Sequence, residues 1–157
     1  MKKIHLILML PVFLTGCAGL PSLDDRPESH YLDIRSAPRM DALLNTATAK
    51  TGGDISNVYL LNDAHEAFVA RAALIEAADH TLDLQYYIWH NDISGKLMFN
   101  LIHRAAERGV RVRLLLDDNN TNGLDNVLLA LDSHPNIEIR LFNPFVRRKW
   151  RALGYLT

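Results

Sequence analysis

From residue 57 onward, apolar positions recur with a period of two, then of about 3.6, then of two again, the mark of strands alternating with helices. Val58 to Leu61 predicts a short strand. Asp63-Ala64-His65-Glu66 has capping-box spacing, and the helix behind it runs to about Asp79 with Phe68, Ala72 and Ile75 on one face. Leu82, Leu84, Tyr86 and Ile88 then alternate with Asp83, Gln85, Tyr87 and Trp89, which is strand period. Ser94 is placed to cap a second helix with Leu97, Leu101 and Ala105 inward, and Gly109 to stop it. Val110, Val112, Leu114 and Leu116 share one face of the next strand. Leu124, Val127, Leu128 and Leu131 predict a third helix ended by Pro135, and Ile137, Ile139 and Leu141 a last strand before Asn143-Pro144. The whole reads as an α/β fold: a mostly parallel sheet with helices on its faces and right-handed crossovers.

The first forty residues follow neither period. Lys2 and Lys3 precede an apolar stretch, Ile4 to Leu14, interrupted by His5 and Pro11. That stretch is shorter than the roughly 20 residues a membrane-spanning helix needs, and it predicts a signal peptide over residues 1–16. Leu14-Thr15-Gly16-Cys17 is a lipobox, so Cys17 is the expected lipid attachment site. Ala18 is not the aspartate that retains lipoproteins at the inner membrane, which predicts a periplasm-facing anchor in the cell envelope, sorted to the outer membrane. Residues 17–40, with Pro21, Pro27 and Pro38, read as a lipidated tether, and residues 41–157 as the folded domain. Cys17 is the sole cysteine, so no disulfide can form within one chain and the core must carry stability.

Composition narrows this only slightly. A 157-residue chain that is 48% hydrophobic and 22% charged has room for one ordinary globular core. Without Lys2 and Lys3, 15 basic against 18 acidic residues leave a charge of −3, which gives no reason to expect a nucleic-acid partner. Arg140, Arg147, Arg148, Lys149 and Arg151 nevertheless cluster with no acid among them. Such a cluster fits phosphate or an anionic membrane surface, and equally a solvated loop.

Candidate chemistry concentrates where strands end, because open parallel sheets bind ligands beyond their carboxyl edges. One tip is Trp89-His90-Asn91-Asp92, the other Asp117-Asp118-Asn119-Asn120. Adjacent carboxylates there can hold a cation, orient a donor, or cap the following turn. There is no Gly-x-Ser-x-Gly elbow, no glycine-rich phosphate loop after a strand, and no histidine pair at metal-ligand spacing. Neither a metal site nor a cofactor is expected.

The runs Val58-Tyr59-Leu60-Leu61-Asn62-Asp63, Leu82-Asp83-Leu84-Gln85-Tyr86-Tyr87-Ile88-Trp89, Gly109 to Asn120 and Asn136 to Phe145 together resemble the phospholipase D superfamily. Within it they are similar to the branch of lipoprotein-type cardiolipin synthases (cardiolipin synthase C). The resemblance covers Asn57 to Thr157 and implies a phospholipase D-like half domain. It also implies chemistry by two His-x-Lys motifs: one histidine forms a phosphatidyl-histidine intermediate, the other serves as acid and base, and the lysines steady phosphoryl charge. Membrane phospholipids are then the partners, a phosphatidylglycerol hydroxyl the acceptor, and no metal is used. None of the seven histidines here is followed two residues later by lysine, so no catalytic residue is assigned. The family's first motif falls shortly beyond Thr157, so the chain is expected to be the front portion of a longer phosphatidyltransferase, inactive alone. Gln85, Tyr87, Asp117, Asp118 and Asn119 are the expected rim of the active cleft in the complete enzyme.

Two other readings compete. Leu116 to Thr121 is similar to the Asp-x-Asp-x-Thr strand end of haloacid dehalogenase-type phosphatases, but Asn119 stands where the acid/base aspartate belongs. A membrane-anchored, non-enzymatic α/β binding module is the second.

Overall fold

A computed structural model describes residues 22, 24–34, 36–48 and 58–145. The expected signal peptide, Cys17 and the basic residues Arg147, Arg148, Lys149 and Arg151 lie outside the described residues. The chain divides into two units, Met1–His30 with Pro144–Thr157, and Tyr31–Asn143. In the first, the contacts include His30 Nε2 against Glu28 at 3.1 Å. The second holds every helix and strand described: α1 (Pro38–Thr48), α2 (Ala64–Ala77), β1 (Thr81–Tyr86), α3 (Ile93–Glu107), β2 (Arg111–Asp117), a 3-10 turn (Asp118–Asn120), α4 (Asp125–Asp132) and β3 (Ile137–Phe142).

The three strands form one parallel sheet in the order β1-β2-β3. Register places Leu82, Val112 and Ile137 in one row, Leu84, Leu114 and Ile139 in the next, and Tyr86, Leu116 and Leu141 in a third. Alternation sends all nine to the same face. There they meet Ile75 and Ala78 from the α2 region, Met98, Phe99, Ile102, Ala105 and Ala106 of α3, and Leu124, Leu128 and Leu131 at α4. The α/β sheet expected from periodicity is therefore the one observed.

Local signals explain most element ends. Asp63 Oδ1 accepts from the His65 and Glu66 amides at 2.9 and 3.0 Å and starts α2. Glu66 closes no reciprocal bond. It accepts the Tyr59 hydroxyl instead, which raises the Tyr59 pKa above its ordinary value. At the end of α3, the Gly109 amide donates to Ala106 O and the Val110 amide to Ala105 O. With Gly109 at φ 89, this is a Schellman stop that only a residue at ease in left-handed backbone closes without strain.

Four expectations change. Val58 to Leu61 is not a strand. No described strand pairs with it, so no ladder forms, and Val58 and Leu60 are 92% and 79% exposed. The cap of α3 is Asp92, not Ser94, since Asp92 Oδ1 accepts from the Gly95 amide at 2.8 Å and from Ser94 Oγ at 2.8 Å. Its inward face is Gly95, Met98, Phe99, Ile102, Ala105 and Ala106, leaving Leu97 exposed. Ala105 is buried and Leu101 packs against the core as expected, while Met98, Phe99 and Ile102 take the place given to Leu97. Strand β1 stops at Tyr86, so the alternation loses its phase beyond it: Ile88 is exposed and Trp89 is 5% exposed, stacked on Phe99 at 4.4 Å.

Helix α1 has no forerunner in the pattern. Pro38 begins it, where a missing amide is harmless. Asp79 Oδ2 accepts from the Arg39 and Met40 amides at 2.8 and 3.4 Å, so the capping carboxylate comes from about forty residues further on.

Candidate functional site at the strand tips

At the carboxyl ends of β1 and β2 the structure gathers part of the expected rim. Gln85 pairs in register with Leu115, and Asp117 with Phe142. Gln85 and Asp117 thus share the parity of Leu115 and belong to the sheet face opposite the core. Asp117, largely buried, accepts the Asn119 amide at 2.9 Å through Oδ1, and Asn143 Nδ2 approaches its Oδ2 at 3.5 Å. Asn143 holds φ 49, a left-handed backbone that asparagine tolerates better than most residues.

Asp118 goes the other way. It is fully buried, and its Oδ1 accepts from Thr121 Oγ1 at 2.7 Å. The Thr121 hydroxyl and amide also point at the Asp118 carbonyl, at 3.1 and 3.3 Å. Tyr87 and Asn119 are exposed; the Tyr87 carbonyl accepts Asn120 Nδ2 at 3.0 Å, tying the loop after β1 to the turn after β2. The tips therefore form one connected edge. Within it, Asp117 and Asp118 both fasten their own turn. Thr121 and Asn143 were not singled out in the sequence; their signal was a polar residue inside a turn and an Asn-Pro step closing a strand.

A cleft of about 190 Å³ lies beside this edge, where α2 and the loop after β1 meet the start of α3. Arg71, Trp89, His90, Asp92, Gly95 and Met98 line it. The Gly95 amide lowers the Asp92 pKa, since a hydrogen bond to the carboxylate favours its charged form. Gly95 admits no side chain: a Cβ would stand 2.1 Å from the His90 carbonyl oxygen.

The sheet face away from the core is charged. Arg113 grips Asp83 with two bonds of 2.6 Å, which lowers the Asp83 pKa, and Arg111 lies 3.9 Å from Glu138. Arg140, the first residue of the basic cluster in the sequence, is paired with Glu138. At the amino ends of the strands, three potential metal ligands come together, His103, Glu107 and His134. No helix among the described residues is long and apolar enough to cross a membrane.

No protein-family model matches the chain. It is 61% identical over 100 residues to cardiolipin synthase C of Escherichia coli (strain K12), covering 64% of this chain and 21% of that protein. It is 34% identical over 156 residues to an uncharacterized protein of Helicobacter pylori (strain ATCC 700392 / 26695), 98% of this chain and 30% of that one. Cardiolipin synthase A of Pseudomonas entomophila (strain L48) matches at 30% over 129 residues, 82% of this chain and 25% of that protein. Among solved structures, an archaeal chromatin protein aligns with a TM-score of 0.47 and 16% identity, over 68% of this chain and 42% of that one, a likeness too slight to bear on fold or function. The chain spans between about a fifth and a third of the length of the relatives it matches. With its parallel α/β sheet and these identities, the chain is a sequence relative of the cardiolipin synthases.

Proposed function

We propose that this chain provides the front part of the catalytic domain of a phospholipase D-type phosphatidyltransferase that makes cardiolipin from membrane phospholipids. The observation that carries the reading is the 61% identity over 100 residues to the E. coli cardiolipin synthase C. In this reading Gln85, Tyr87, Asp117, Asp118 and Asn119 form one rim of the active cleft. Asp117 and Asp118 hold the turn after β2 in shape, while exposed Tyr87 and Asn119 face the phospholipid headgroup. The nucleophile that takes up the phosphatidyl group, and the acid that protonates the departing alcohol, come from elsewhere in the complete enzyme, because this chain holds no His-x-Lys pair. Lipid on Cys17 keeps the domain at an envelope membrane, facing the periplasm, where its substrates reside. The named relatives favour this over a haloacid dehalogenase-type phosphatase or a purely binding module.

The test is a chimera in which the matched 100 residues of this chain replace those of the E. coli protein, expressed in cells lacking every other cardiolipin synthase. Cardiolipin should reappear with the chimera and not with the 157-residue chain alone. A stably folded chimera that makes none, or cardiolipin from the chain alone, sinks the reading. Labelling with a clickable fatty acid should mark the wild type and spare Cys17→Ser; equal label in both would remove the anchor from the proposal.

A further inference from the structure

At the end of the sheet remote from the strand tips, the last turns of α3 and the turn before β3 bring His103, Glu107 and His134 side by side. One ligand atom of each lies within 4.8 Å of the other two. His134 Nε2 is 3.1 Å from Glu107 Oε1, and His103 Nε2 is 3.8 Å from the same oxygen. The two imidazoles meet edge to face at 5.5 Å. We propose that these three side chains bind one divalent transition-metal ion of the zinc class, through His103 Nε2, the Glu107 carboxylate and His134 Nε2. The proposal stands apart from the phosphatidyltransferase reading and shares no residue with it.

The sequence spacing supports two of the ligands. His103 and Glu107 are four residues apart on a helix, so they project from one face in successive turns. The third is largely buried: His134 is 15% exposed, and its Nε2 already stands 3.1 Å from Glu107 Oε1. Two imidazoles and one carboxylate suit zinc, cobalt or nickel and not the all-oxygen preference of magnesium or calcium. Three such ligands leave a fourth tetrahedral position for water.

Metal bonds of about 2.0–2.2 Å at tetrahedral angles set ligand atoms roughly 3.3–3.6 Å apart. The His134–Glu107 pair, at 3.1 Å, is already close to that spacing, and the wider separations must shorten. The adjustment falls on His103 and Glu107, which are 47% and 60% exposed and have room to rotate. Two hydrogen bonds are given up for the metal bonds. With Nδ1 accepting from Asn136, the neutral His134 ring carries its proton on Nε2 and donates it to Glu107. When the ion takes Nε2, that proton moves to Nδ1 and the Asn136 amide loses its acceptor. The ion would then fasten the carboxyl end of α3 to the turn that leads into β3, joining both crossovers of the sheet. That position is structural and distant from the strand tips.

The experiment uses the full 157-residue chain, freed of metal and titrated with Co²⁺ and then Zn²⁺. An equimolar amount of Co²⁺ should give the visible absorption of a tetrahedral nitrogen–oxygen site, Zn²⁺ should erase it, and the thermal midpoint should rise with Zn²⁺. His103→Ala and Glu107→Gln, both at exposed positions, should each keep the far-ultraviolet dichroism and lose the absorption and the midpoint rise. These two substitutions are the decisive ones, because His134→Ala also disturbs the turn. Absorption that persists in either variant overturns the proposal. So does an octahedral spectrum in the wild type, or a thiolate charge-transfer band that places the ion on Cys17.

Discussion

On one face of the sheet, three rows of apolar side chains from Leu82, Leu84 and Tyr86 across to Ile137, Ile139 and Leu141 close against α3 and α4. On the other face, Asp83, Arg113 and Glu138 stand in register on adjacent strands, with Arg111 and Arg140 beside Glu138. The same three strands build both, yet the energetics differ. Fully burying a leucine or isoleucine side chain contributes about 1.5–3 kcal/mol, and the apolar face does this repeatedly. Ion pairs that keep solvent contact contribute little, since side-chain ordering and screening offset their attraction. Strands in parallel sheets usually read as continuous apolar runs because both faces are covered. Here β2 alternates through Arg111 and Arg113, and cross-strand pairing compensates that charge.

Four substitutions at three places test the contrast, from the largest expected effect to the smallest. Ile102→Ala empties a fully buried position on α3 and should cost about 2–5 kcal/mol, read as a lower denaturant midpoint at unchanged slope. A loss no greater than that of a surface substitution would mean that this helix face is not the core. Asp118→Ala, at the rim between the faces, removes the shorter of the two bonds of the buried Thr121 hydroxyl, leaving it the Asp118 carbonyl at 3.1 Å, and should cost about 1 kcal/mol. Thr121→Val breaks the same bond from its other side. In the E. coli chimera, a part for Asp118 in the active cleft beyond its turn predicts that only Asp118→Ala lowers turnover of the folded fraction. Equal turnover in both would reduce Asp118 to a fastening of its turn.

Asp83→Asn, on the charged face, should have the smallest effect and one with a definite pH dependence. Arg113 lowers the Asp83 pKa, chiefly by hydrogen bonding, so the folded state prefers the ionised carboxylate. The pair's contribution is therefore present above the unfolded-state pKa, about 3.9, and fades as pH falls through the lower folded-state value. Thermal midpoints of wild type and Asp83→Asn should differ slightly at neutral pH and low salt, and converge in acid. A gap that persists in acid would assign the effect to packing.

Much of this protein was legible along the chain, because the relevant physics is local. Alternation in Leu82 to Tyr86, Val110 to Leu116 and Ile137 to Leu141 implied three strands, and the intervening helices implied parallel pairing. Asp63 and Gly109 marked helix ends through bonds to backbone within a few residues. The polar strand tips were visible for the same reason, as was the resemblance to cardiolipin synthases.

Other features depend on residues that only folding brings together. Helix α1 takes its cap from Asp79, and no window of sequence around Pro38 contains that carboxylate. The inward face of α3 was decided by where the sheet lies, which moved the core from Leu97 to Met98 and Phe99. Val58 to Leu61 has the composition of a strand and no described partner to pair with, and a strand without a partner makes no ladder. His103 and Glu107 are neighbours by helix geometry alone, but His134 joins them only because β3 returns beside β2. Periodicity is a property of the backbone and its nearest residues, so the sequence by itself determines the elements. Which faces meet, and which distant side chains complete a site, follow from the packing of those elements, and that is decided only by the tertiary structure.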